Sequence, residues 1–194
     1  MNEQTSIDHL LEETGAVLSG HFRLSSGLHS SQYVQCARLL SHPLNAERLG
    51  SLLAQRLDPY SPDLVVAPAL GGLIIGFTVA RALKVPMVFT ERKDGAMVLR
   101  RGFEIAEGSR TVVVEDVVTT GKSTRETDAV IREQGGMVIS HASIMNRSGR
   151  DNPFDEPYEF LHRLDLETWA EQECPLCSSG IAIDSPGSRF QESR

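Results

Sequence analysis

Two adjacent carboxylates, Glu115 and Asp116, are separated by Val117 and Val118 from a run of small and hydroxyl-bearing residues, Thr119-Thr120-Gly121-Lys122-Ser123-Thr124. Each half suggests a chemistry. A tight glycine-containing loop that opens a helix presents unpaired backbone N–H groups and the positive end of the helix dipole, and so holds a phosphate. Carboxylates beside such a loop repel a bare phosphate, yet they accept hydrogen bonds from sugar hydroxyls. A ribose 5-phosphate satisfies both halves. Gly121-Lys122-Ser123 also suggests a nucleotide-binding P-loop, but that pattern needs a glycine where this chain has Asp116, whose charge would face the triphosphate. A buried strand followed by an acidic helix cap is the plainer alternative.

These residues must be carried by particular elements. Arg110 to Val114 is a β-branched run suited to a strand buried on both faces of a parallel sheet, with the acids where it should end. A helix-period segment begins at Ser123 and runs through Ile131. Upstream, Leu64 to Ala67 reads as a central strand, followed by Pro68-Ala69-Leu70-Gly71-Gly72 and a helix from Leu73 to Leu83; the glycine pair lets backbone approach a ligand closely. Pro86 to Thr90 reads as a second central strand, Glu91-Arg92-Lys93-Asp94-Gly95 as a polar loop, and residues 97–103 as the return strand. Met137 to Met145 alternates as a strand and delivers Arg147 to the carboxyl end of the sheet, where open α/β folds bind ligands.

The remaining elements frame this core. Thr5 or Ser6 can cap an N-terminal helix, two short strands flank the polar turn at residues 25–30, and Pro43 to Leu57 has leucines at helical spacing. Tyr158 to Leu164 reads as an edge strand, Trp169 as part of a short helical piece, and the residues from Ser185 as an irregular tail. Strands alternating with helices predict an α/β fold, a doubly wound and mostly parallel Rossmann-like sheet. Residues 1–194 form one domain in this reading, with a small N-terminal hood (about 1–40), a core (about 41–165) and a C-terminal segment (166–194).

A net charge of −7 and a pI near 5.4 argue against broad binding to nucleic acid or to a membrane surface, so an anionic substrate must meet local positive charge. Met1-Asn2-Glu3-Gln4 is not the start of a secretory signal, and Leu73 to Ala80 is too short to span a bilayer. Three cysteines, one of them isolated, make no disulfide framework and point to a reducing cytoplasm. Cys174-Pro175-Leu176-Cys177 is half of a zinc site. No second pair completes it, and among the scattered histidines only His162 is nearby in sequence. A packed or solvent-facing thiol pair, with no dedicated metal, is the expectation.

Hydrophobic strand, acid pair, two apolar residues and Thr-Thr-Gly-Lys-Ser-Thr together resemble the phosphoribosyl diphosphate (PRPP) motif of the type I phosphoribosyltransferases. Phe22-Arg23-Leu24-Ser25-Ser26-Gly27-Leu28-His29-Ser30, followed by Tyr33, looks like the hood of the orotate phosphoribosyltransferases, which lies over the base. The resemblance implies that Glu115 and Asp116 hold the ribose hydroxyls and that residues 117–124 hold the 5′-phosphate. It implies that Ala69, Leu70, Gly71 and Gly72 contact the pyrophosphate, and that Arg92 and Lys93 are catalytic, on a mobile loop (residues 91–102) donated across a homodimer interface. Arg147 would grip the orotate carboxylate, for which a planar guanidinium is suited, and with the Thr119 region would place the base. Mg²⁺ would be carried mainly by PRPP. The implied activity is transfer of the phosphoribosyl group to orotate in pyrimidine biosynthesis; another base, or a non-catalytic PRPP-binding regulator, are the alternatives. Well-known members carry Lys in place of Ser25 and of Gly71, and a longer loop with a further Lys and a His; Arg100 or Arg101 is the candidate replacement for that charge.

Overall fold

The computed structural model describes residues 3–24 and 26–186. In chain order these form α1 (Glu3–Glu13), β1 (Val17–Arg23), β2 (His29–Val34), α2 (Cys36–Leu40), α3 (Pro43–Leu57), β3 (Leu64–Pro68), α4 (Gly72–Leu83), β4 (Met87–Lys93), β5 (Ala96–Leu99), β6 (Arg110–Val118), α5 (Lys122–Glu133), β7 (Met137–Asn146), β8 (Tyr158–Arg163) and α6 (Pro175–Ser178). Strands β1 and β2 make a separate antiparallel hairpin. The others form a six-stranded sheet in the order β5-β4-β3-β6-β7-β8, parallel throughout except for the β4–β5 edge.

Period-two alternation sends successive valines of the central strands to opposite faces. Val65, Val112 and Val114 pack with Leu49, Leu53, Ile75 and Val79 of α3 and α4. Leu64, Val66 and Val113 pack with Ile105 and with Ile131 of α5 on the other side. Both faces are therefore covered, as the apolar strands required. No described helix is long and apolar enough to cross a membrane.

Several elements depart from their expected bounds. Strand β6 does not stop at the acids: Glu115, Val117 and Val118 remain paired with Ser143, Met145 and Asn146 of β7. Residues 91–93 belong to β4, and Asp94-Gly95, both with positive φ (50° and 84°), make a two-residue hairpin turn into Ala96–Leu99. That Asp-Gly pair between two extended runs is a hairpin signal, where a polar loop was expected. Helix α1 begins at Glu3, ahead of Thr5 and Ser6. Trp169 bridges to His29 in extended conformation, and the short 3₁₀ turn lies at Glu171–Glu173 instead. Ser25 and the tail from Gly187 lie outside the described residues.

Helix α5 is polar along most of its length, and Ile131, fully buried, is its principal anchor to the sheet. Ile131→Ala is expected to cost about 2–5 kcal/mol of unfolding free energy in urea titration, from lost burial plus the cavity left behind. A cost of a few tenths would mean that this face is not packed as described.

Candidate active site

The sheet is built outward from its middle. From β3 the chain moves to β4 and β5 on one side, and from β6 to β7 and β8 on the other, so the loops leaving β3 and β6 diverge at neighbouring carboxyl ends. Such a switch point opens a crevice. Residues 69–71 form one wall, with a cis Ala69–Leu70 peptide bond, and residues 119–121 form the other.

Asp116, near the end of β6, reaches the first wall. Its carboxylate accepts a hydrogen bond from the Val117 N–H at 2.8 Å, and it lies so close to the first wall that a Cβ at residue 71 would stand 2.6 Å from Oδ1. Gly71 is what lets the acid rest there, and a lysine at this position would have to displace it. Glu115 accepts from the Asp116 N–H at 3.3 Å, and its carboxyl group lies beside that of Asp116. Burial raises the Asp116 pKa, against the lowering pull of Glu115 and of the Val117 N–H.

Tyr33 and Cys36 lie near enough to feel Asp116, and Arg147 lies near enough to feel those two. Arg147 follows β7, its N–H donating to the Val118 carbonyl at 2.8 Å. Its half-buried guanidinium has a pKa lowered by desolvation and balanced in part by Tyr33 and Cys36; it stays a cation at neutral pH. Tyr33, from the hairpin, is pushed up by burial and feels both Arg147 and Asp116. Burial pushes the Cys36 thiol well above its usual range, which leaves it unsuited as a nucleophile.

The second wall has the form of a phosphate cradle. Gly121 caps α5 with a φ of +69°, the Lys122 N–H donates to Thr120 Oγ1 at 3.3 Å, and Thr124 is buried behind the turn. The loop is braced from outside. Arg125 donates to the Thr120 carbonyl and, at 3.1 Å, to that of Pro153; a Cβ on Gly121 would meet the Phe154 ring at 2.8 Å. Phe154 lies over His141 with ring centroids 4.2 Å apart, and His141 Nε2 donates to the buried Asp128 carboxylate at 3.0 Å. None of these braces was foreseen. Arg125 shows only as a helical residue four places after Gly121, and Phe154 lies in an irregular stretch with no pattern.

Residues 69–72, 115–124 and Arg147 thus meet at one edge of the sheet. The basic pair stands differently. Arg92 is ion-paired with Glu126 in the second turn of its own chain's α5, a carboxylate that Lys122 also approaches at 3.7 Å, and Lys93 is exposed at the end of β4. Arg100 and Arg101 both turn onto Glu91, at 3.2 and 2.9 Å, and Arg101 lies 5.6 Å over the Phe89 ring.

Among the described residues, the groups with metal-ligand geometry are His21/His29/Cys174/Cys177 and Asp128/His141/Glu156. The second belongs to the bracing beneath the cradle. In the crevice the hard oxygens of Glu115 and Asp116 suit a Mg²⁺ that keeps mostly water and substrate oxygens as ligands. Cys174 and Cys177, expected as a packed or solvent-facing thiol pair, lie against two histidines of the hairpin, whereas His162, the histidine nearby in sequence, lies elsewhere, 3.5 Å from Asp8.

Residues 35–176 match the phosphoribosyl transferase domain family. The orotate phosphoribosyltransferase of Thermotoga maritima is 48% identical over 94% of this chain and 98% of its own, and that of Carboxydothermus hydrogenoformans is 47% identical over 93% and 95%. Among solved structures, orotate phosphoribosyltransferase from Aeropyrum pernix superposes with a TM-score of 0.60 at 27% identity, over 92% of this chain and 91% of that one. The Mycobacterium tuberculosis enzyme in complex with inorganic phosphate gives 0.67 at 23% identity, over 84% and 96%, a likeness of fold. With such identity over nearly all of its length, and with its acid pair and phosphate cradle facing one crevice, the chain belongs to the orotate phosphoribosyltransferase family.

Proposed function

We propose that the crevice between β3 and β6 binds PRPP and orotate and joins them into orotidine 5′-monophosphate, releasing pyrophosphate. The observation that carries this reading is the Asp116 carboxylate, lodged against the glycine loop that leaves β3, on the strand that runs directly into the braced loop opening α5. The bond from ribose C1 to a pyrophosphate oxygen breaks with its electron pair leaving on pyrophosphate, and the N1 nitrogen of orotate, its proton passing to water or to the departing pyrophosphate, supplies the pair for the new C1–N1 bond. Positive charge of oxocarbenium type grows on the sugar as this happens. Glu115 and Asp116 hold the ribose hydroxyls and lie on the side where that charge develops. Residues 117–124 hold the 5′-phosphate, so that binding energy far from C1 orients it.

Backbone of residues 69–72 lies along the pyrophosphate, while Arg92 and Lys93 neutralise the leaving charge. Mg²⁺ arrives on PRPP oxygens and adds to that neutralisation. Arg147, with Thr119, orients orotate through its carboxylate, beneath Tyr33 of the hood. We read the enzyme as a homodimer with residues 91–102 reaching the neighbouring site; Arg92 then leaves Glu126 on closure. Three free thiols are what a reducing cytoplasm preserves.

Loss of orotate absorbance on mixing protein, Mg²⁺, PRPP and orotate is the direct test. Pyrophosphate release only with another base, or with none, contradicts the orotate reading. Arg147→Ala is expected to raise the orotate KM by the equivalent of about 2–5 kcal/mol with the PRPP KM nearly unchanged; equal losses for both substrates would remove Arg147 from orotate recognition.

Asp116 yields a prediction with opposite signs for stability and activity. Because its folded pKa is raised, its contribution to stability is greatest at low pH and is lost as pH rises through the folded value. Without substrate, Asp116→Asn should therefore melt higher than the parent at about pH 8, with the gap closing toward about pH 4, the ordinary carboxylate range. Its kcat/KM for PRPP should fall by about 10- to 100-fold, the size of one lost charge-assisted hydrogen bond. A lower melting temperature at every pH would show that the carboxylate is not held at a desolvation cost.

A further inference from the structure

We propose that His21, His29, Cys174 and Cys177 bind a structural Zn²⁺ that ties the C-terminal segment to the hood hairpin. The four ligand atoms come from four places: β1, β2, the residue before α6, and α6 itself. They nevertheless lie within 4.8 Å of one another. His21 Nε2 is 3.0 Å from His29 Nδ1 and 3.5 and 3.7 Å from the sulfurs of Cys174 and Cys177, and Cys177 Sγ is 3.3 Å from His29 Nδ1. A tetrahedron with Zn–N near 2.0–2.1 Å and Zn–S near 2.3 Å has edges of about 3.3 Å between nitrogens and about 3.6 Å between nitrogen and sulfur. The spacings match that figure to within a few tenths of an ångström.

The surroundings support ligation. His21 Nδ1 lies 2.7 Å from the Ile181 carbonyl, which can only accept, so Nδ1 carries the proton and Nε2 turns its lone pair to the cluster. Both histidines and Cys174 are buried, and Cys177 is half-buried. Four protein ligands without an open position make a structural site, and Cys-x₂-Cys with two histidines is a zinc donor set.

A tie is also what this region needs. Among the described residues beyond β8, the helical structure is a 3₁₀ turn and the four-residue α6, and isolated bridges join Trp169 to His29 and Asp184 to Phe22. Ile181 and Ile183 remain close to half exposed. With so little apolar burial, a metal supplies the stabilisation a core would otherwise give. Through β2 the same tie steadies the strand that carries Tyr33 to Arg147 and Asp116.

The test uses the full chain purified in reductant without added metal. Elemental analysis should find about one zinc per chain, and replacement by Co²⁺ should give the intense visible bands of a tetrahedral site together with thiolate-to-cobalt charge transfer. Cys177→Ser and His29→Ala should lose most of the bound zinc, whereas Cys36→Ala should keep it. The cobalt spectrum of the unsubstituted protein decides the matter if those variants fail to fold. A zinc-free protein that gives only an octahedral cobalt spectrum, zinc retained by both site variants, or a Cys174–Cys177 disulfide in the purified chain would each overturn the proposal.

Discussion

The crevice depends on one constraint: a carboxylate has to be held partly out of water, a few residues from a loop shaped for another anion. Solvent would stabilise Asp116 better than the protein does, and its raised pKa records that cost. What keeps it in place is the course of the backbone. Strands β3 and β6 are neighbours in a parallel sheet, their exit loops part, and Gly71 leaves the space that the carboxylate fills. The acid itself lies against the loop. Arg147, partly desolvated as well, is coupled to Tyr33 and Cys36, which in turn feel Asp116, so charge of both signs lies within one cluster before any substrate arrives.

A cradle for phosphate is useful only if its amides do not move. Here the core extends beneath it: Ile131 fixes α5 to the sheet, Asp128 and His141 join the same helix to β7, and Phe154 on His141 meets Gly121 from behind while Arg125 clasps Thr120. Each contact alone is ordinary. Together they make the loop's geometry a property of the packed interior, as the proposed 5′-phosphate site requires. The basic end of β4 is built in the opposite way, exposed and held by ion pairs to Glu126 and Glu91 that solvent weakens and a substrate can replace.

Much of this was legible in the chain because local pattern and tertiary role agree. The β-branched strands, the leucines of residues 43–57 and the Thr-rich loop each announce an element whose period matches its burial. Where the reading missed, the cause was non-local or a turn passed over. Asp94-Gly95 is a hairpin signal that the charges around it disguised as a loop. Strand β6 runs through Glu115 and Asp116 because β7 continues beside it, and carboxylates give no hint of that. His21 stands 153 residues before Cys174, so no scan of neighbouring positions can join them. Phe154 acquires its role only through the ring and the glycine it happens to meet.

The central claim is that one sugar phosphate is gripped at two points, by the acid pair through its hydroxyls and by the amides of residues 119–124 through its phosphate. A crystal structure of the protein with PRPP and Mg²⁺ tests it most directly. The Glu115 and Asp116 carboxylates should then lie within hydrogen-bonding distance of the two ribose hydroxyls, with the 5′-phosphate seated on the loop that opens α5. A phosphate bound instead on the outer face of that helix, in the open depression lined by Lys122, Arg125 and Ala129, with the carboxylates still turned onto Gly71 and each other, would contradict it.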